Sequence, residues 1–332
     1  MGDRRRFDRP GQQLRLSALV ATARSVGHAV AVFGVGIRSA FVVALGVCVV
    51  TSAAPTPSRA ASTGSRAGLP RVLHLVDKSR RIRLPGGKRV PRPVTTYLWY
   101  PPAVDGNGPW PLVIFGHGFA TTPFRYERLL RAWAAAGYLV AAPVFPLGNA
   151  NAPGGPDESD IVNQPRDMSF VISRLLAASA SAANPLHGLV TPARIAVAGQ
   201  SDGAETAFAT AYQRPWHDRR VRAAVILSGA ELGGHARLVS RTAPLLAVQG
   251  TADRINPPIY TLDLFHAVGR PKFLLLLRHA GHLPPYTVPG PRLAAVERVS
   301  IAFLDHYLRG QPLRAIARAA APFPGDILMS DP

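Results

Sequence analysis

Gly199-Gln200-Ser201-Asp202-Gly203 reads G-x-S-x-G. A strand-like run, Arg194-Ile195-Ala196-Val197-Ala198, precedes it, and an alanine-rich, helix-like run over 204–212 follows. A serine on a sharp strand-to-helix turn presents its hydroxyl in the open, where it can attack a carbonyl carbon. The flanking glycines leave room for a backbone too tight for a Cβ. Glycine and serine are common, so the pentapeptide alone also suits an ordinary turn. The strand before it and the helix after it point to a nucleophile.

A serine alkoxide is hard to form near neutral pH, so Ser201 needs a base, and the base needs an orienting carboxylate. In this setting the partners follow in the order Ser, Asp or Glu, His, each past the end of a later strand. Asp253 follows the run Leu245-Leu246-Ala247-Val248 in a glycine-containing loop and is the expected acid. Its alternative role is a turn or N-cap aspartate for the next helix. Asp263 and Asp305 fall inside predicted helices and fit less well. After Phe273-Leu274-Leu275-Leu276-Leu277 come Arg278-His279-Ala280-Gly281-His282. Gly281 permits the turn that aims the next ring back across the sheet edge, so His282 is preferred to His279 as the base. A fourth element, Gly116-His117-Gly118-Phe119, ends another strand. Its glycines let backbone N–H groups converge on an oxyanion, with the amides of Phe119 and Asp202 as donors. His117 is expected to brace that loop. The Asp202 side chain is expected to cap the following helix; its alternative role is to deter anionic acyl groups.

These groups need a scaffold that brings strand ends together. Val72–Val76 and Val94–Tyr100 alternate like strands. The runs 111–115, 138–142, 195–198, 221–227, 244–248 and 273–277 are continuous and apolar, and helical patterns over 126–136, 166–180, 258–267 and 291–308 separate or follow them. Continuous apolar strands alternating with helices predict a mostly parallel sheet covered on both faces, an α/β fold. The connection from Ser228 to Thr242 is too short for a helical lid domain, which predicts an open mouth. Residues 148–163 form the longest irregular stretch. Asp157, Glu158 and Asp160 within it read as a solvated charged loop, or else as the lining of a substrate entrance.

The chain has 332 residues and a net charge of +19. Residues 1–93 hold 17 Lys and Arg against 3 Asp and Glu, so most of the excess lies in that N-terminal stretch and only +5 in residues 94–332. That distribution argues against a nucleic-acid partner, which would need a basic stripe on a folded face. The one cysteine, Cys48, leaves the folded part without a disulfide or a cysteine-based metal site, and no cofactor or metal is expected. Arg4, Arg5, Arg6 and Arg9 precede an apolar run over 40–50 and small residues after it. Residues 1–54 are therefore expected to be a signal peptide, or a membrane anchor if uncleaved, giving a secreted or cell-envelope protein. Residues 55–70 read as a Pro/Ser/Ala linker, 71–310 as the folded domain and 311–332 as a C-terminal tail.

With Gly116-His117-Gly118-Phe119, the G-x-S-x-G turn and His279-Ala280-Gly281-His282 in this order, the chain resembles the α/β-hydrolase fold family over roughly 71–310. Residues 166–172 (RDMSFVI) resemble a helix of its lidless members: the platelet-activating-factor acetylhydrolase-like, dienelactone-hydrolase-like and bacterial polyester hydrolase groups. The resemblance implies hydrolysis of small or polymeric carboxylic esters through an acyl-enzyme. Two departures stand out: Gln200 and Asp202 flank the serine where histidine and a small or aromatic residue are common, and no C-terminal disulfide can form. A serine peptidase or acyltransferase with the same three residues is the alternative enzyme. A non-catalytic ligand-binding protein is the alternative of another class.

Overall fold

In a computed structural model that describes residues 69–102, 108–233, 237–240 and 242–331, the apolar runs become the middle of a single sheet. The expected export segment and Cys48 lie outside the described residues, as does the linker up to residue 68. The strands are β1 Arg71–Arg83, β2 Arg89–Trp99, β3 Trp110–Gly116, β4 Leu139–Pro143, β5 Val190–Gln200, β6 Val221–Leu227, β7 Leu245–Gly250, β8 Lys272–Leu277 and β9 Ile327–Asp331. Among the described residues their order is β1-β2-β4-β3-β5-β6-β7-β8-β9. The pairs β1–β2, β2–β4 and β8–β9 are antiparallel, and the inner strands run parallel. This is the doubly covered, mostly parallel sheet that the run pattern implied.

Burial explains why the inner strands are apolar on both sides. Val113, Phe115, Ala196, Ala198, Val225 and Val248 point into one core, while their neighbours Leu112, Ile114, Ile195 and Val197 are equally buried on the other face. Helices α1 Glu127–Ala135 and α6 Pro291–Arg309 close the first core, where the Trp133 indole N–H donates to Ser300 Oγ at 2.9 Å. Helices α2 Gln164–Ala180 and α3 Asp202–Tyr212 pack on the opposite face, against β3 and β5. Helix α4, Pro258–Ala267, leans on β7. A short helix α5, Pro284–Thr287, joins β8 to α6.

Two expectations need correction. Residues 311–332 are not a tail beyond the domain. Their described part carries helix α7, Arg314–Ala320, and β9, which pairs with β8 from Lys272↔Asp331 to Leu276↔Ile327. Strand β9 is only half-buried and follows a Pro/Gly segment, so it has no long apolar run to announce it. Nor is 148–163 a wholly solvated loop. Asp160 is buried and makes a two-pronged pair with Arg92 of β2, at 2.9 and 2.6 Å. The same guanidinium holds Asp167 of α2, which also accepts from Arg80 of β1 at 2.6 Å. A charge at 2% exposure is tolerable only with such full pairing. This network anchors the segment before α2 to the sheet.

Candidate active site

Strand β5 ends in the turn that carries Ser201. The serine sits at φ 56°, ψ −125°, a backbone state that L-residues rarely adopt. Its N–H donates to the Leu227 carbonyl at 3.0 Å, tying the turn to the end of β6. The two glycines of the motif are required by contact. A Cβ on Gly199 would run into the Gly203 carbonyl, and one on Gly203 into the Gly116 carbonyl. Helix α3 starts immediately after the serine and is thereby held close against β3 and β5.

The structure brings the three expected partners into one line. His282 Nε2 lies 2.9 Å from Ser201 Oγ, and His282 Nδ1 lies 2.8 Å from Asp253 Oδ2. A carboxylate only accepts, so Nδ1 carries the ring proton and the neutral ring offers Nε2 to the serine hydroxyl. Asp253 Oδ1 accepts the Ile255 and Asn256 N–H groups at 2.9 and 3.0 Å, and the Gln249 amide nitrogen is 3.3 Å from Oδ2. Burial pushes this carboxyl up, but the His282 bond and charge and the two backbone donors outweigh it and hold the group below its usual range. Those bonds also form a turn at the start of the next segment, so the alternative expected for Asp253 is present beside its contact with His282. Asp263 and Asp305 lie elsewhere; Asp305 accepts from Tyr138 at 2.6 Å.

His279 is not part of this line. It is exposed, has φ 53°, and its N–H donates to Thr251 Oγ1. The close approach of the two loops is set at Gly250, where a Cβ would strike the Ala280 carbonyl. The Ala252 N–H donates to that same carbonyl at 2.9 Å, binding the acid loop to the histidine loop.

The loop after β3 lies against the serine. A Cβ placed on Gly118 would stand 2.9 Å from Gln200 Oε1, 3.0 Å from the Tyr126 hydroxyl and 3.3 Å from Ser201 Cβ, so a side chain here would push the loop away from the serine. His117 braces it, as expected. Its Nε2 accepts the Phe145 N–H at 3.1 Å, which leaves Nδ1 to donate to the Gly118 carbonyl at 2.8 Å. Burial without a counter-charge pushes this imidazole down to about 4, so it is neutral. Thr121 Oγ1 donates to the same carbonyl at 2.8 Å, and Thr121 bridges to Asn149. Phe119 sits at the turn of this pinned loop, half-buried. Asp202 is the first residue of α3, so its N–H has no acceptor within the helix.

The Asp202 side chain does not cap the helix as expected. Ser201 occupies the N-cap without a side-chain bond, and Asp202 Oδ2 is buried with no hydrogen-bond partner. Burial first, then the charge of Glu158, pushes this carboxyl up to about 6 against the opposing pull of His282. The segment 158–163 that carries Glu158 packs against α3.

Sequence reasoning passed over the residues that hold these groups in place. Gln249 clasps the acid loop through Asp253, Gly250 O and Asn256 O, and receives a bond from Thr261 at 2.7 Å. Asn256 donates to the Ser228 carbonyl at 2.8 Å, linking that loop to the end of β6. No spacing rule marks them, because their partners are set by which strand ends become neighbours.

Comparison with known proteins agrees with this architecture. The family model described as Chlorophyllase matches residues 78–249, just over half of the chain. No curated protein matches. Among solved structures, a ferulic acid esterase from Streptomyces cinnamoneus superposes with a TM-score of 0.60 at 23% identity, covering 81% of this chain and 98% of its own. At that identity the likeness is one of fold. The chain belongs to the chlorophyllase family and is a carboxylic ester hydrolase with the α/β-hydrolase fold.

Proposed function

We propose that this protein cleaves carboxylic esters through an acyl-enzyme on Ser201. The observation that carries the reading is the unbroken contact Asp253–His282–Ser201. His282 Nε2 takes the serine proton as Oγ attacks the ester carbonyl, and Asp253 keeps the ring in the required tautomer and offsets its charge. The amides of Phe119 and Asp202 hold the oxyanion. Collapse of the tetrahedral intermediate passes the proton from His282 to the leaving alkoxide. Water then attacks the acyl carbon, gives its proton to His282, and releases the acid and the free serine.

The open mouth suits small or polymeric esters. The described residues between Ser228 and Thr242 carry no helix that could act as a lid. Residues 1–54 support export, with secretion or envelope attachment by that segment. Among the described residues no helix is long and apolar enough to cross a membrane.

A fluorophosphonate probe tests the nucleophile. Ser201 should label in the folded wild-type protein, and Ser201→Ala should neither label nor turn over p-nitrophenyl esters. A folded wild-type protein that leaves Ser201 unlabelled overturns the proposal. An acyl-chain series, with a ferulate ester, chlorophyll and a polyester film, then defines the substrate.

A further inference from the structure

Gln200, the residue before the proposed nucleophile, is 1% exposed and spends both ends of its amide on polar partners. Its Nε2 lies 3.1 Å from the backbone oxygen of His282 and 3.3 Å from His282 Nε2. Its Oε1 lies 2.7 Å from the Tyr126 hydroxyl. The Tyr126 oxygen is in turn 3.2 Å from the Gly118 nitrogen. Every direction in this chain is determined. A carbonyl only accepts, so the Gln200 nitrogen must face His282 O, and its oxygen must face Tyr126. The tyrosine has one proton, which goes to Gln200, so its lone pair receives the Gly118 N–H. Burial raises the Tyr126 hydroxyl to about 12, which keeps that proton in place.

We infer that Gln200 and Tyr126 are positioning residues that lock the His282 loop to the Gly118 loop across the serine. The inference rests on the proposed roles of Ser201, His282 and the Phe119 amide. The Gly118 N–H lies in the peptide just before the one that carries the Phe119 N–H, so fixing it anchors the loop one residue from the oxyanion donor, whose own peptide is held at the Gly118 carbonyl by His117 and Thr121. At the other end, one Gln200 N–H sets the height of the His282 backbone. The second N–H approaches, at 3.3 Å, the same Nε2 lone pair that receives the Ser201 hydroxyl at 2.9 Å, so it shares that acceptor and opposes protonation there. Neither residue touches the reacting carbon. Their effect is to hold the base and an oxyanion donor at fixed places before substrate arrives. The site is sensitive to such placement, because a shift of about 1 Å costs on the order of 100-fold in rate.

The test uses Gln200→Met, Gln200→Glu and Tyr126→Phe in the full-length chain, with p-nitrophenyl acetate turnover and fluorophosphonate labelling. Each single variant should lower kcat about 10- to 100-fold with KM changed much less. The double variant Gln200→Met/Tyr126→Phe should be no worse than the poorer single one, because both break the same connection. In Gln200→Met the acid limb of kcat/KM should move to higher pH, since the N–H facing the neutral ring is gone. In Gln200→Glu it should move further, because a carboxylate favours the protonated ring. Besides Gln200, the ring faces Asp253 from the loop after β7 and Asp202 from α3, and both stay intact in all variants. Multiplying losses together with an unmoved acid limb would overturn the inference. If Gln200→Met does not fold, Gln200→Glu and Tyr126→Phe decide the matter by the same readouts. Absent labelling in the wild type would instead strike the nucleophile assignment, so the two failures are distinguishable.

Discussion

Arg92 and Asp167, 75 positions apart, meet through two hydrogen bonds of 2.7 and 2.6 Å with both side chains buried. The pair joins β2 to α2, and through Asp160 it holds the segment before α2. That segment leads back to Asn149, whose bridge to Thr121 supports the loop beside Ser201. Arg92→Ala would leave buried Asp160 without its cation and buried Asp167 with Arg80 alone, which costs about 3–5 kcal/mol. The urea midpoint should fall accordingly, and esterase activity should decline with it. An unchanged midpoint would mean that the network adds nothing to stability.

At most exposed helical positions, replacing glycine by alanine stabilises a protein by up to about 1 kcal/mol. At Gly203 the sign should reverse, because the added methyl meets the Gly116 carbonyl. Gly203→Ala is expected to lose about 1–3 kcal/mol by overpacking and to lower kcat by shifting the Ser201 turn. Thermal unfolding and p-nitrophenyl acetate turnover measure the two effects separately.

The two histidines after β8 make a paired test of the base assignment. His282→Ala should lower kcat by at least ~1,000-fold, whereas His279→Ala should remain within about twofold of wild type. Asp253→Asn should fold and bind but lose ~1,000- to 10,000-fold in kcat, because the amide favours the wrong ring tautomer. If His279→Ala is the silent enzyme, the assignment is wrong.

Burial first, then the charges of Asp202 and Glu158, pushes the Glu205 carboxyl from its ordinary 4.5 up to about 8. Between those values the folded state binds more protons than the unfolded chain, so stability falls as pH rises through this window. Asp202 acts in the same direction up to about 6. Glu205→Gln should therefore raise stability at pH 8 by about 1–2 kcal/mol, a figure reduced for its partial exposure, and leave it unchanged at pH 4. Denaturation midpoints at the two pH values check this; an equal gain at both would contradict it.

Removing residues 311–332 should do more than trim a terminus. It would strip β9 from β8, whose sequence Lys272-Phe273-Leu274-Leu275-Leu276-Leu277 would become an unpaired edge. Apolar edges pair with other chains, so the truncated protein should aggregate in size-exclusion chromatography while the full chain does not.

The inner sheet was legible because each of its strands is a continuous apolar run, which only burial on both faces explains. That Ser201, Asp253 and His282 come together was legible for a related reason. A parallel sheet puts all its strand ends on one edge, so a chemical group just past a strand end is already near the others. Strand β9 was not legible, since half-buried edge residues leave little pattern. Asp160 also misled, because a carboxylate in a Pro/Gly-rich stretch reads as solvated until its arginine is found on a distant strand.

The sequence alone determined the order of the inner strands and the helices between them, the tight serine turn and the residue types able to do acyl chemistry, because local backbone sterics and hydrophobic period are written in neighbouring residues. Tertiary structure decided what neighbours could not. It paired Arg92 with Asp160 and Asp167, left Asp202 without a capping bond, and gave Gln200 its place between Tyr126 and His282. Hydrogen bonds and ion pairs require atoms within about 3 Å. Residues 68 to 82 positions apart reach that distance only once the sheet has set which strand ends lie side by side.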